Sequence, residues 1–166
     1  VKKNWLALQY ADESLRKDRN FILEAVQCNG QLFWADKSLK KDQELVLAAV
    51  AHCYLALNDG DESLKKDRDF MLEVVERNWK ALYFIDASLR KDRDFILEAV
   101  KQNGLALQFA DQSLKGSQSI VLAAVKQSGH ALECADESLK KDRDFILEAV
   151  KQNWTITWLA ERAAPD

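Results

Sequence analysis

One stretch of about 25 residues is written six times along this chain, and that repetition limits the fold more than any single motif does. Aligned on their first aspartate, the copies place Asp12, Asp36, Asp61, Asp86, Asp111 and Asp136 at spacings of 24, 25, 25, 25 and 25 residues. Ser14, Ser38, Ser63, Ser88, Ser113 and Ser138 recur two positions later, each followed by leucine. Glu161 continues the register in an incomplete seventh copy. A fixed period of this length marks a stacked-repeat architecture, because one supersecondary unit cannot bury its apolar face alone and a stack of them can.

Each copy reads as two helices. In the sixth, Phe145, Ile146, Leu147, Ala149 and Val150 fall on one side of a helical wheel, over an arc of about 200° at 100° per residue. An arc that wide predicts a helix packed between neighbouring copies. Asp18, Asp42, Asp67, Asp92 and Asp142 stand three residues before the first large apolar side chain, with Ser117 in the fifth copy. These are good N-caps, since a side-chain oxygen there accepts the free N–H groups of the first turn. Asn78, Asn103 and Asn153 are expected to stop the helix in the left-handed conformation, with Gly30, Gly104 and Gly129 at the helix end in other copies. A shorter helix follows, such as 105–110, burying Ala106, Leu107 and Ala110. The Asp-x-Ser-Leu corner then closes the copy, as at Asp136 and Ser138, through side-chain bonds to nearby backbone. Its leucine should pin the corner to the core.

The fold expected is an all-α solenoid of short helical hairpins, with about six 25-residue repeats plus partial terminal repeats, forming one domain over residues 1–166. Val1-Lys2-Lys3-Asn4 matches Val100-Lys101-Gln102-Asn103, so the chain is expected to be a segment of a longer array. The strings ALQFADQSL and DRDFILEAVKQN resemble the tandem-repeat family catalogued as domain of unknown function 4116, over essentially the whole chain. The resemblance implies a repeat fold and carries over no activity and no catalytic residue. The chain departs from the family pattern at Asn58-Asp59-Gly60 and at Gly116-Ser117-Gln118-Ser119, which puts local helix geometry there in question.

Composition narrows the function. A net charge of −3 supplies no single-signed field for nucleic acid or an anionic membrane. The longest apolar run, 45–51, falls far short of the ~20 residues a membrane helix needs. Cys28, Cys53 and Cys134 are too few and too scattered for a disulfide framework. Free thiols are expected, and a reducing intracellular compartment, cytoplasm or organelle interior, is favoured. His130 and Cys134 lie four apart, half a zinc site at best, while His52 and Cys53 point about 100° apart on a helix. No metal, cofactor or catalytic group is expected. The basic pairs at 16–17, 40–41, 65–66, 90–91 and 140–141 would form a ridge, but Asp18, Asp67, Asp92 and Asp142 interleave with it. That pattern argues for a self-neutralised edge and against nucleic-acid binding.

The columns in which the copies disagree carry the functional expectation. A junction column holds Trp5, Tyr54 and Trp79; short-helix columns hold Tyr10, Trp34, Phe84 and Phe109, and Tyr83 and Trp158. Two roles stand open for these rings, covering the seams between copies or contacting a partner. The expected function is a non-enzymatic protein–protein interaction scaffold or linker. The alternative is a structural subunit or spacer in a large assembly, with nucleic-acid binding third.

Overall fold

The computed structural model describes residues 5–30 and 32–153, and these are helical and turn-rich with no strand among them. The chain is an all-α repeat fold of the solenoid class, built from six copies in which a long helix alternates with shorter helical turns. The long helices are Arg19–Asn29, Gln43–His52, Arg68–Asn78, Arg93–Gln102, Gln118–Gln127 and Arg143–Gln152. Two compact units divide the chain, Val1–Asp86 and Ala87–Asp166. In the first, Arg19–Asn29 packs on Gln43–His52, which packs on Arg68–Asn78. In the second, Arg93–Gln102 packs on Gln118–Gln127, which packs on Arg143–Gln152.

Each long helix starts where its aspartate collects free N–H groups. Asp92 accepts from the Asp94 and Phe95 amides at 3.0 and 2.9 Å; Asp18, Asp67 and Asp142 accept in the same way, and Asp42 accepts from Leu45. Ser117 occupies the same position and backbone conformation but makes no side-chain cap; its hydroxyl turns to Ser119 at 3.2 Å. The buried face is narrower than the wheel predicts. The positions of Phe95, Ile96, Ala99 and Val100 are buried in the long helices, except that Phe21 and Val150 are half-buried, whereas Leu147 is 43% exposed. Spacing of i, i+1, i+4 and i+5 spans about 140°, which the facing copies cover; the third apolar residue lies beyond it.

Three helical pieces, not two, make most copies; after Arg19–Asn29 a turn at 33–35 takes the place of the middle one. After the long helix comes a 3-10 segment, Trp79–Phe84, Gly104–Phe109 or Gly129–Cys134, and Trp5–Tyr10 is a segment of the same kind. Ala106 and Leu107 are fully buried there, and Ala110 nearly so. The corner then opens into a further short helix, as at Glu13–Lys17, Gln112–Lys115 and Glu137–Lys140. The reason is local: Asp136 accepts both the Ser138 amide at 2.9 Å and its hydroxyl at 2.7 Å, and an aspartate holding the second N–H of a segment is an N-cap as much as a turn. The corner leucines Leu64, Leu89 and Leu139 are buried, but Leu15 is 41% exposed.

The helix ends also differ from expectation. Asn103 and Asn153 are extended, with φ of −147° and −149°, and only Gly30 among the described residues has a positive φ, 72°. The asparagines link elements instead. Asn103 Oδ1 accepts from the Leu105 amide at 3.0 Å and so caps the 3-10 segment. The amide groups of Asn78 and Asn153 donate to the Val50 and Val125 carbonyls at 3.4 and 2.9 Å, satisfying last-turn acceptors of the preceding copy.

A backbone rung joins successive copies. The N–H of the corner aspartate donates to the carbonyl of the basic residue that follows the previous corner. Asp36 pairs so with Arg16 at 3.0 Å, Asp61 with Lys40 at 2.9 Å and Asp86 with Lys65 at 3.3 Å; in the second unit Asp111 pairs with Arg90 at 2.8 Å and Asp136 with Lys115 at 3.0 Å.

Candidate functional site

In the first unit the rings gather on the face formed by the 3-10 segments. Tyr10 and Tyr83 stand out from it, 82% and 67% exposed. Phe33 packs edge-on against Trp34 with ring centres 4.8 Å apart. Tyr54 stacks on Phe84 at 6.4 Å, and Tyr83 meets Phe84 edge-on at 5.3 Å. Trp34, Tyr54, Trp79 and Phe84 are half-buried, as is Phe109 in the second unit. The Trp5 side chain and Trp158 lie outside the described residues.

Two members of this face escaped sequence reasoning. Phe33 and Leu55 are exposed, and both line a groove of about 360 Å³ together with Gly30, Ala56, Asp59 and Phe84. Phe33 falls in the 24-residue copy, where 3-10 pairing gives way to a turn and the register blurs. Leu55 follows a tyrosine in the copy that departs from the repeat pattern. That departure is itself the floor of the groove. Ala56–Asp59 is an α-helical turn in place of a 3-10 segment, and Asp59 occupies the register that holds Trp34 in the copy before and Phe84 in the copy after. Burial pushes the Asp59 carboxyl above its ordinary value, against the pull of Lys40 and Lys65.

The basic pairs split into two roles. The first member folds back: Arg16 donates to the Ala11 and Gln9 carbonyls at 3.0 and 2.7 Å and lies 5.9 Å from the Trp34 ring centre. Lys40 donates to the Phe33 carbonyl at 3.1 Å and sits 5.6 Å from that ring's centre. Lys65 is buried and paired with Glu62 at 2.6 Å. Only the second members, such as Lys17, Lys41 and Lys91, stay exposed. Along the same edge Arg19 reaches into the next copy, bonding Asp42 at 2.7 Å and also Glu44. Opposite charges thus meet across the first seam.

The corner carboxylates Asp12, Asp36, Asp61, Asp111 and Asp136 are held below their ordinary range, first by the serine hydroxyl and then by the serine N–H. His130 is exposed and Cys134 half-buried, with burial pushing the thiol up. Cys28, Cys53 and Cys134 are free thiols. Among the described residues no group of three or more His, Cys, Asp or Glu is placed to hold a metal ion, and no helix is long and apolar enough to cross a membrane.

These features define an all-α tandem-repeat protein, with the copies stacked within each unit and an aromatic face on the first. The chain belongs to the family described as Domain of unknown function (DUF4116), whose matches span residues 1–40, 42–90, 67–115 and 117–160. Three of those matches begin at the N-cap positions Asp42, Asp67 and Ser117, so the family pattern and the structural copy share a register. No curated protein and no solved structure matches the chain.

Proposed function

We propose that the chain is a non-enzymatic protein-binding scaffold, and that its first unit presents the 3-10 face to a protein partner. One observation carries this reading. Of the six large hydrophobic side chains exposed among the described residues, five, Tyr10, Leu15, Phe33, Leu55 and Tyr83, belong to the first unit, and none of these is on a long helix. The column of Phe33 and Tyr83 carries Gln108 and Glu133 in the second unit. Rings clustered on a solvent face are typical anchors, since they desolvate large area at little conformational cost. Rings needed only for seams would recur in every copy.

The test is affinity capture from the native source with the tagged chain, quantified against two variants. The triple change Tyr10→Ser, Phe33→Ser and Tyr83→Ser is expected to abolish enrichment of the captured protein while the circular dichroism spectrum keeps its helical signal. Leu147→Ser, an exposed apolar residue of the second unit, is expected to leave capture intact. Equal capture by all three chains would overturn the scaffold reading.

A spacer role within a large assembly is the second reading, supported by the backbone rung that recurs between copies. It predicts that capture survives the ring changes and depends on the number of copies instead.

A further inference from the structure

The groove at the third copy interrupts an otherwise aromatic column. Trp34, one copy earlier, is covered by the chain's own Arg16, whose guanidinium carbon lies 5.9 Å from the ring centre. Phe33 likewise carries Lys40. This face therefore already receives basic side chains over its rings. At the third copy the ring is replaced by Asp59, and no ion pair or hydrogen bond to its carboxylate is formed among the described residues. The neighbouring cations are committed elsewhere, Lys65 to Glu62 and Lys40 to the Phe33 carbonyl. The groove walls are apolar and aromatic, from Phe33, Leu55 and Phe84, with Tyr54 stacked behind Phe84. A volume of about 360 Å³ lies at the low end of ligand clefts, roughly 300–1,000 Å³, and suits one inserted side chain better than a cofactor.

We propose that this groove is a socket for an arginine side chain of a partner polypeptide, set between the Phe33 and Phe84 rings with its guanidinium donating to Asp59. The proposal rests on the scaffold reading above and names the chemistry the scaffold recognises. Charge complementarity selects a cation: a half-buried carboxylate that Lys40 and Lys65 attract without bonding gains a charge-assisted bond from an incoming donor. The rings select arginine over lysine, because a planar, weakly hydrated guanidinium stacks on an aromatic face while its edge donates in a fork. Leu55 beside the socket favours an apolar residue next to that arginine.

The test uses the whole chain and a defined probe, acetyl-leucyl-arginyl-leucinamide, titrated while amide NMR shifts are followed. Saturable shifts confined to the region of Phe33, Leu55, Asp59 and Phe84 are expected. The citrulline analogue, which keeps shape and loses charge, is expected to bind roughly tenfold more weakly. Asp59→Asn is nearly isosteric and should cause the same loss without lowering the thermal midpoint, because burial already disfavours the charge. Equal binding of the arginine and citrulline peptides, or unaltered binding by Asp59→Asn, would overturn the socket. Tighter binding of a phenylalanine peptide in place of arginine would also overturn it. If Asp59→Asn keeps the native partner and the triple ring variant loses it, the socket fails and the scaffold stands. If both variants keep the partner, both readings fail.

Discussion

The corner aspartates Asp36, Asp61, Asp111 and Asp136 each serve two helices through different atoms. The carboxylate accepts from the serine two residues on, and the N–H donates back to the previous copy. The serine hydroxyl therefore tunes a charge that sits on a seam. Replacing Ser38 by Ala should raise the Asp36 carboxyl from its lowered position toward the ordinary 3.8, which a carboxylate-selective NMR titration reads directly. An unmoved titration would mean that the backbone amide alone sets the value. Asp59 shows the opposite case. Its upward shift comes from burial, and a carboxylate that costs stability while making no direct bond among the described residues is a common trait of binding surfaces.

At the scale of the element, the caps decide where helices begin. Asp92→Ala removes two accepted N–H bonds and is expected to cost about 1 kcal/mol, measured as a lower urea midpoint. Ser117 has the backbone conformation of the aspartate caps, φ −83° and ψ 111°, but no cap bond. Ser117→Asp should therefore raise the midpoint, by about 0.5 kcal/mol of stability, as the carboxylate accepts from first-turn amides and meets the positive end of the helix dipole. The start of the Gly104–Phe109 segment is set by approach distance instead. A Cβ on Gly104 would lie 2.3 Å from the Ala124 carbonyl oxygen of the next copy. Gly104→Ala is expected to destabilise by about 1–3 kcal/mol, because backbone on one side or the other has to move. A neutral result in urea unfolding would show that the seam relaxes freely.

For the whole molecule, stability is distributed over seams that recur with the repeat, so pH acts on many of them together. The corner carboxylates have folded-state values below the ordinary 3.8, so the unfolded chain binds more protons as the pH falls toward that value. Their stabilisation is fully present above the ordinary value and is lost as pH falls through the lowered ones. Asp59 runs the other way, its charge costing stability at neutral pH and that cost vanishing on protonation. Asp42 and Glu148 are lowered as well, and these seven carboxylates against Asp59 among the described residues predict a urea midpoint that is flat near neutrality and drops below about pH 4. A midpoint that rises on acidification would contradict the assignment of the corner bonds.

The repeat, its register, the aspartate caps and the buried apolar columns were legible in the residues, because each depends on spacing within about one helical turn to one copy. Period and capping chemistry are local, and Asp92 or Phe95 needs no distant partner to declare its role. What the sequence could not show depended on the neighbouring copy. Spacing alone makes the asparagines left-handed stops, yet Asn78 and Asn153 reach carbonyls 28 residues away. Spacing alone puts the basic pairs on one ridge, yet Arg16 turns inward onto Trp34 while Lys17 stays exposed. Phe33 and Leu55 entered the aromatic face only when stacking brought them beside Phe84, and Asp59 became a groove floor only because the rings on either side of it are present. A side chain's register follows from chain geometry, but its exposure and partners are set by what packs against it, and in a stack of copies that is always another copy.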